Sequence, residues 1–196
     1  MNMNYGKNIS AVIASAVVLG STFNGFADSA VGEKMLSYDL TSNFNKIEPE
    51  AIPGNIIKKI STEWMLITAG SDKNFNGMTA SWGGIGFWNK PMAFILVHTE
   101  RNTYKFVEQN DYFTLSFFDE KYRPALMLFG TKSGRDMDKT KEAGLTGIST
   151  NPGIAYAEAK LIIVCRKDFS TMTTPNNPPN GHKLYFGEII AVWQKK

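Results

Sequence analysis

The chain has 196 residues, of which 43% are hydrophobic and 20% charged, with a formal net charge of +3. That length suits one domain with a core of ordinary size. The small charge, with no run of Lys or Arg longer than two, excludes the charge pattern of a nucleic-acid binder.

The first residues read apart from the rest. In "MNMNYGKNISAVIASAVVLGSTFNGFADSA" one cation, Lys7, precedes a small and apolar run from Ile9 to about Leu19. Gly25 and Ala27 follow at a spacing suited to a signal peptidase. The run is too short to span a bilayer well, so no stable membrane insertion is expected. Residues 1–27 are therefore expected to be a secretory signal peptide, with the protein exported to the periplasm or beyond. If the leader is not functional, the protein stays cytoplasmic. Residues 28–45, polar and without periodicity, are expected to be a linker, and residues 46–196 the domain.

Within the domain, "WMLITAG" is a short apolar strand ended by the turn-rich "SDKNFNG". "NGMTASWGGIGFWNKP" has the beat of a returning hairpin strand, yet glycines inside a strand mark a bulge or a close approach. "MAFILVH" is a nearly unbroken apolar run of strand length. "TERNTYKFVEQN" predicts a short helix capped by Thr99 or Asn102. "DYFTLSFF" alternates as a half-buried strand. "DEKYRPALMLFG" predicts a helix with Pro124 in its first turns and Gly130 at its end. "SGRDMDKTKEAGLT" predicts a loop and a third short helix, and "IAYAEAKLIIVCRKDF" one long strand holding Cys165, read as a buried structural thiol. "TTPNNPPNGH" excludes regular structure, and "KLYFGEIIAVW" closes the chain as a strand. About six strands and three short helices without a βαβ rhythm predict a mainly β (α+β) fold, most economically a barrel with helices at its ends.

The catalytic inventory is thin. His98 and His182 are far apart in sequence, and no HExxH, CxxC, GxSxG or P-loop occurs. What recurs is hydroxyls and cations beside glycines: Thr79-Ala80-Ser81, Arg101-Asn102-Thr103 at a helix start, and Lys132-Ser133-Gly134-Arg135. Helix N-termini, hydroxyls and one or two cations are what an anionic phosphate needs. Together with a rich aromatic supply they suggest a phosphorylated flat cofactor.

The blocks "WMLITAG", "NGMTASWGGIGFWNKP", "RNTYKFVEQNDYFTLSFFDEKYRPAL", "KSGRDMDK", "AKLIIVCRKDF" and "GHKLYFGEI" follow one another in an order that resembles the flavin reductase-like family of FMN-binding split β-barrel proteins. The resemblance covers about Ile47 to Trp193. It implies a split β-barrel with short peripheral helices, FMN as cofactor, NAD(P)H as co-substrate and a homodimer with flavin near the subunit interface. It implies that Met78, Thr79, Ala80, Ser81 and Trp82 run along the flavin, the glycines letting backbone N–H groups approach it. It implies that Arg101 and Thr103 hold the phosphate, with Lys132, Ser133 and Arg135 completing the polar surround.

Two departures stand out. Relatives often carry arginine where this chain has His98, whose ordinary pKa near 6.5 would make phosphate binding pH-sensitive; the residue otherwise only ends its strand. The leader is the second departure, because flavin is made inside cells. His182 matches a position the family often keeps near the flavin or nicotinamide face, or it caps the last strand. Glu188 and Trp82 have the same two readings, site or packing. The expected function is a flavin reductase-like oxidoreductase in which a reduced nicotinamide passes hydride to the flavin and on to an acceptor, the protein supplying orientation rather than an acid or base. The alternatives are a flavin-binding electron carrier without its own NAD(P)H site and, third, a split barrel that binds haem or pyridoxal phosphate.

Overall fold

The structure is a computed structural model and describes residues 38–173 and 181–196. The expected signal peptide over 1–27 and most of the expected Pro/Asn-rich loop, residues 174–180, lie outside the described residues. In chain order the strands are β1 (Phe44–Ile47), β2 (Met65–Ser71), β3 (Asn74–Ala80), β4 (Gly84–Phe87), β5 (Pro91–His98), β6 (Tyr112–Phe117), β7 (Gly147–Ser149), β8 (Ile154–Tyr156), β9 (Leu161–Met172) and β10 (His182–Lys195). The α-helical segments are α1 (Leu40–Asn43), α2 (Ile56–Lys58), α3 (Asn102–Gln109), α4 (Arg123–Thr131) and α5 (Lys139–Glu142).

Eight strands form one sheet, in the order β3-β2-β6-β9-β10-β5-β4, with β1 also on β10, and every pairing is antiparallel. β10 pairs with β9 along nearly its whole length. Its other edge is shared: β5 takes residues 182–188 and β1 takes residues 192–195. This is the mainly antiparallel split barrel that the sequence predicts.

The unbroken apolar runs become strands buried on both faces. Successive side chains of a strand point to opposite sides. Met65, Ile67, Leu115, Ile163 and Cys165 therefore enter the barrel interior with Ile95 and Tyr185. Leu66, Ile162 and Val164 face outward into a second core roofed by Leu126 and Phe129 of α4 and by Ile148, Ala155 and Tyr156 of the β7–β8 hairpin. Cys165 is fully buried, as read from the sequence, and burial pushes its thiol pKa up. Among the described residues no helix is long and apolar enough to cross a membrane.

Three boundaries differ from the sequence reading. The fold begins before Lys46, inside the expected linker. Asp39 accepts from the amides of Thr41 and Ser42 to start α1, and Phe44 of β1 is buried in the outer core. These few apolar residues stand in a polar context, which hid them. The expected long strand from Ile154 is broken by a turn closed by Ala159 N–H to the Tyr156 carbonyl at 3.1 Å, so β8 leaves to roof the outer core while β9 joins the barrel. The returning strand splits into β3 and β4 around residues 81–83, where Gly83 has φ +133°.

The end of α3 is tied down firmly. Glu108 receives Lys183 Nζ at 2.9 Å and the Tyr185 hydroxyl at 2.7 Å. Lys167 Nζ donates to the carbonyls of Val107 and Glu108 at 2.7 and 3.0 Å, the usual partners of a cation at a helix C-terminus. Burial pushes the Glu108 pKa up, but the hydrogen bonds from Lys183 and Tyr185 outweigh it and leave the carboxyl below its ordinary range.

If the two-sided core carries the stability, Ile163→Ala destabilises the fold by about 2–5 kcal/mol. Ile57→Ala, at a side chain that is 78% exposed, stays within about 0.5 kcal/mol. Urea denaturation of both variants checks this.

Candidate functional site

A cleft opens where the sheet runs out of partners. β5 pairs with β10 over residues 92–98, while β4 reaches only residues 91–94. Among the described residues, no strand lies beside the other edge of β5 from residue 95 to residue 98. Trp82 reaches across, its indole Nε1 donating to the Leu96 carbonyl at 3.1 Å. The turn that carries Trp82 is shaped by close packing. A Cβ on Gly83 would stand 2.8 Å from the Phe94 carbonyl, and one on Gly84 would stand 2.0 Å from the Phe94 ring. The close approach these two glycines permit is thus to Phe94, whereas the sequence reading gave it to the ligand.

Three stretches converge beside this edge. The turn after β5 is closed by Arg101 N–H to the His98 carbonyl at 2.9 Å. It delivers Arg101 as the N-cap of α3, where Thr99 or Asn102 was expected, and the Arg101 side chain makes no capping hydrogen bond. The loop after α4 follows, in which Ser133 Oγ accepts from the Arg135 amide at 3.2 Å. Arg135 Nη2 then donates to the Glu100 carbonyl at 2.9 Å, joining that loop to the turn. The third stretch is β3, where Asn76 Nδ2 donates to Thr103 Oγ1 at 2.7 Å and both side chains are buried. Gly134 closes the junction, since a Cβ there would stand 2.0 Å from Asn76 Oδ1.

The expected site residues divide by this geometry. Arg101, Thr103, Ser133 and Arg135 are brought together. Thr79 lies on the outer side of β3 and donates to the Leu126 carbonyl of α4 at 2.5 Å, and Ser81 is half-buried in the turn. Met78 and Ala80 turn their side chains into the barrel interior. Lys132 is exposed at the end of α4. His98 and His182, distant in sequence, are cross-strand partners with ring centroids 5.0 Å apart and planes at 85°. His98 Nδ1 accepts from the Glu100 amide at 3.3 Å, and the Glu100 carboxylate lies 3.9 Å away. Glu188 belongs elsewhere, in a cluster on the sheet face with Lys90 at 3.1 Å and Arg166 at 2.6 Å.

Three residues of the junction were not singled out by sequence reasoning: Asn76, Glu100 and Lys139. Lys139, in the stretch expected to form a loop and a third short helix, is only 6% exposed. Its Nζ donates to the carbonyls of Gly77 at 2.6 Å and Phe129 at 3.3 Å, 5.0 Å from the Phe129 ring centroid. Burial, helped by the nearby Arg101 charge, pushes its pKa down to about 8. The Tyr156 hydroxyl borders the same strand segment, and burial pushes its pKa up, so it stays neutral. Among the described residues no group of three or more His, Cys, Asp or Glu side chains is placed to hold a metal ion. Cations, a hydroxyl and helix-start amides beside an open strand edge are the groups that suit an anion, and they are not arranged as an acid–base centre.

A family model described as "Flavin reductase like domain" matches residues 57–196. Among solved structures, flavoredoxin from Methanosarcina acetivorans is similar at 21% identity and a TM-score of 0.59, over 68% of this chain and 69% of that one. The FMN-binding domain of a flavin reductases-like enzyme from Shewanella baltica is similar at 18% identity and a TM-score of 0.60, over 78% and 77%. An NADH:FAD oxidoreductase from Streptomyces globisporus is similar at 16% identity and a TM-score of 0.57, over 69% and 78%. A comparison with curated proteins gives no match.

The buried Asn76–Thr103 bond holds β3 to the start of α3. A double-mutant cycle of Asn76→Ala and Thr103→Val is expected to give a coupling energy of about 1 kcal/mol, with each single variant losing about 1–3 kcal/mol by leaving its partner unpaired. Equilibrium unfolding measures all four proteins.

Proposed function

The chain belongs to the flavin reductase-like family, and from that premise we propose that it is an FMN-binding oxidoreductase that takes electrons from NAD(P)H and hands them to an acceptor. The observation that carries the reading is the junction itself. Arg101, Arg135, Ser133 and the uncapped start of α3 meet beside an open strand edge with no acid–base pair among them. This donor set fits a phosphorylated flavin. Two guanidinium groups and a helix N-terminus favour a dianion. The carboxylate of this turn, Glu100, is 67% exposed on the His98 side.

In this reading Arg101, Thr103, Ser133 and Arg135, with Lys132 at the rim, hold the phosphate end. Backbone groups of residues 78–82, with the Thr79 and Ser81 hydroxyls, run along the rest, and Trp82, His98 and His182 border the mouth. Bound flavin supplies the redox chemistry. The chain's own part is to bind and orient. Arg135 holds the Glu100 carbonyl, so the α3 turn and the α4–α5 loop keep their spacing. The Trp82 indole occupies the free carbonyl of Leu96 at the strand edge, where water would otherwise bind.

A second reading, an electron carrier without a nicotinamide site, is favoured by the chain's similarity to a flavoredoxin at a TM-score close to that for the NADH:FAD oxidoreductase. The leader supports an exported protein in either case. A homodimer is part of the proposal. Phe87 and Trp88 are 73% and 63% exposed at the β4–β5 tip, and they continue into Phe169, Phe186 and Phe94 on the outer sheet face. The adjacent Lys90, Arg166, Glu188 and Asp168 balance in charge. An exposed apolar patch of this kind suits a surface that two copies bury about a two-fold axis.

The absorption spectrum of the protein expressed from Asp28, with and without FMN, tests the flavin, and a protein that ignores FMN overturns the reading. Arg101→Gln is expected to weaken FMN binding roughly 10- to 100-fold, the loss of one charge-assisted hydrogen bond of about 1.5–3 kcal/mol. Steady-state oxidation of NADH and NADPH with added FMN separates reductase from carrier. Binding at pH 6 and at pH 8 tests His98, and equal affinities remove it from the phosphate site. Sedimentation equilibrium is expected to give a dimer for the native chain and a monomer for the Phe87→Ser, Trp88→Ser double variant.

A further inference from the structure

The chain has two histidines, and the fold sets them directly opposite each other. His98 ends β5 and His182 begins β10, and opposed residues of an antiparallel pair put their side chains on one face. The backbone beneath them is held on both sides. Thr99 N–H donates to the Gly181 carbonyl at 3.0 Å, and the Thr173 amide and hydroxyl donate to the His182 carbonyl at 3.0 and 2.9 Å. The ring centroids lie 5.0 Å apart, with planes at 85°. Zinc binds imidazole nitrogen at about 2.0–2.1 Å, so two imidazoles on one tetrahedral ion have ring centres roughly 5 Å apart. The pair already stands at the separation that a shared ion requires.

The surroundings fit the same chemistry. A histidine that ligates a metal usually donates its other ring N–H to a carboxylate, a backbone carbonyl or water. The Glu100 carboxylate lies 3.9 Å from His98 Nδ1, and at 67% exposed it has room to close that distance. Arg135 bonds to the Glu100 carbonyl, which leaves the carboxylate for the imidazole. His98 Nδ1 accepts from the Glu100 amide at 3.3 Å, so the uncharged ring carries its proton on Nε2. That bond is longer than an ordinary N–H hydrogen bond and costs little to give up.

We propose that His98 and His182 form a binding site for a divalent transition-metal ion, zinc by its tetrahedral preference, with Glu100 as the carboxylate behind His98. His98 binds the ion through Nε2, while its proton moves to Nδ1 and from there bonds to Glu100. The ring keeps one proton throughout, and His182 supplies the second nitrogen. Among the described residues no group of three or more His, Cys, Asp or Glu is gathered. Water therefore completes the shell, and the ion is exchangeable rather than structural. Once bound, it adds a dication at the rim of the cleft. The proposal does not rest on the flavin reading, since it uses neither the start of α3 nor β3.

With only two imidazoles in the chain, long-range proton–nitrogen NMR of the untagged native protein reads the site directly. One equivalent of zinc chloride is expected to shift both rings together and to move the His98 proton from Nε2 to Nδ1. Titration against a chromophoric chelator is expected to show zinc weakened at least tenfold in His98→Gln and in His182→Gln. Glu100→Gln is expected to weaken it about tenfold, as loss of a carboxylate behind a ligand does. Zinc that shifts neither ring, or only one, overturns the proposal, and so does native affinity in His182→Gln. A His98 proton that stays on Nε2 with zinc bound, or native affinity in Glu100→Gln, overturns the part given to Glu100. If a variant does not fold, the spectra of the native chain decide alone. They decide equally in a chain that ignores FMN.

Discussion

β10 is longer than the strands it meets on one side, and the split in the barrel depends on that mismatch. Its 14 residues are paired on one edge by β9, but the other edge is divided between β5 and β1. No strand bridges the gap at residues 189–191, and a cavity of about 340 Å³ lies at this fork, bordered by Ile47, Pro49 and Pro91. A closed barrel leaves no strand edges. This barrel is held open, so edges persist at β3, at β4 and along residues 95–98 of β5. Those edges must be covered or used. Trp82 covers one carbonyl, and the rest border the proposed cofactor cleft.

An open edge binds nothing selectively unless something charged is held beside it. Here the holding is done from behind. The C-terminal end of α3 is locked by Glu108, Lys167, Lys183 and Tyr185, so its N-terminal end projects from a fixed base toward the cleft. The buried bond between Asn76 and Thr103 adds a second anchor within the first turn, beside the amides that would meet an anion. The Arg135 contact ties in the third segment through a backbone carbonyl rather than a carboxylate. That choice of acceptor leaves the guanidinium's charge uncancelled, which is what an anion site needs.

The residues that were legible in the sequence are those whose pattern is local. The apolar alternation of β6, the Pro124 start of α4 and the double-sided runs of β2 and β9 each follow from periodicity within a few residues. The family-bearing blocks located the β3 stretch, the α3 start and the α4–α5 loop, and the fold brings the last two together with Asn76. What was not legible depends on residues far apart in the chain. Phe44 reads as part of a polar linker until β10 and the outer core claim it. Gly83 and Gly84 read as ligand contacts until the Phe94 carbonyl and ring fill that space. The burial of Lys139 has no local signal, because nothing within four positions shows that β3 and α4 close over it. His98 and His182 become neighbours only through the register of β5 with β10.

The chemistry left to the protein is narrow for a physical reason. Burial keeps the phenols of Tyr156 and Tyr185 and the thiol of Cys165 protonated, since each is pushed above its ordinary pKa, Tyr185 further by the Glu108 carboxylate. None is placed as a base or nucleophile at neutral pH. The carboxylates of Glu108 and Glu188 are engaged by cations and held in their charged form, which removes them as proton donors. The groups that remain free to act on a ligand at the cleft are fixed charges, amides and two imidazoles at its rim. A site of that kind orients and stabilises what it holds but does not break bonds by itself. Its reactivity has to arrive with the molecule it binds.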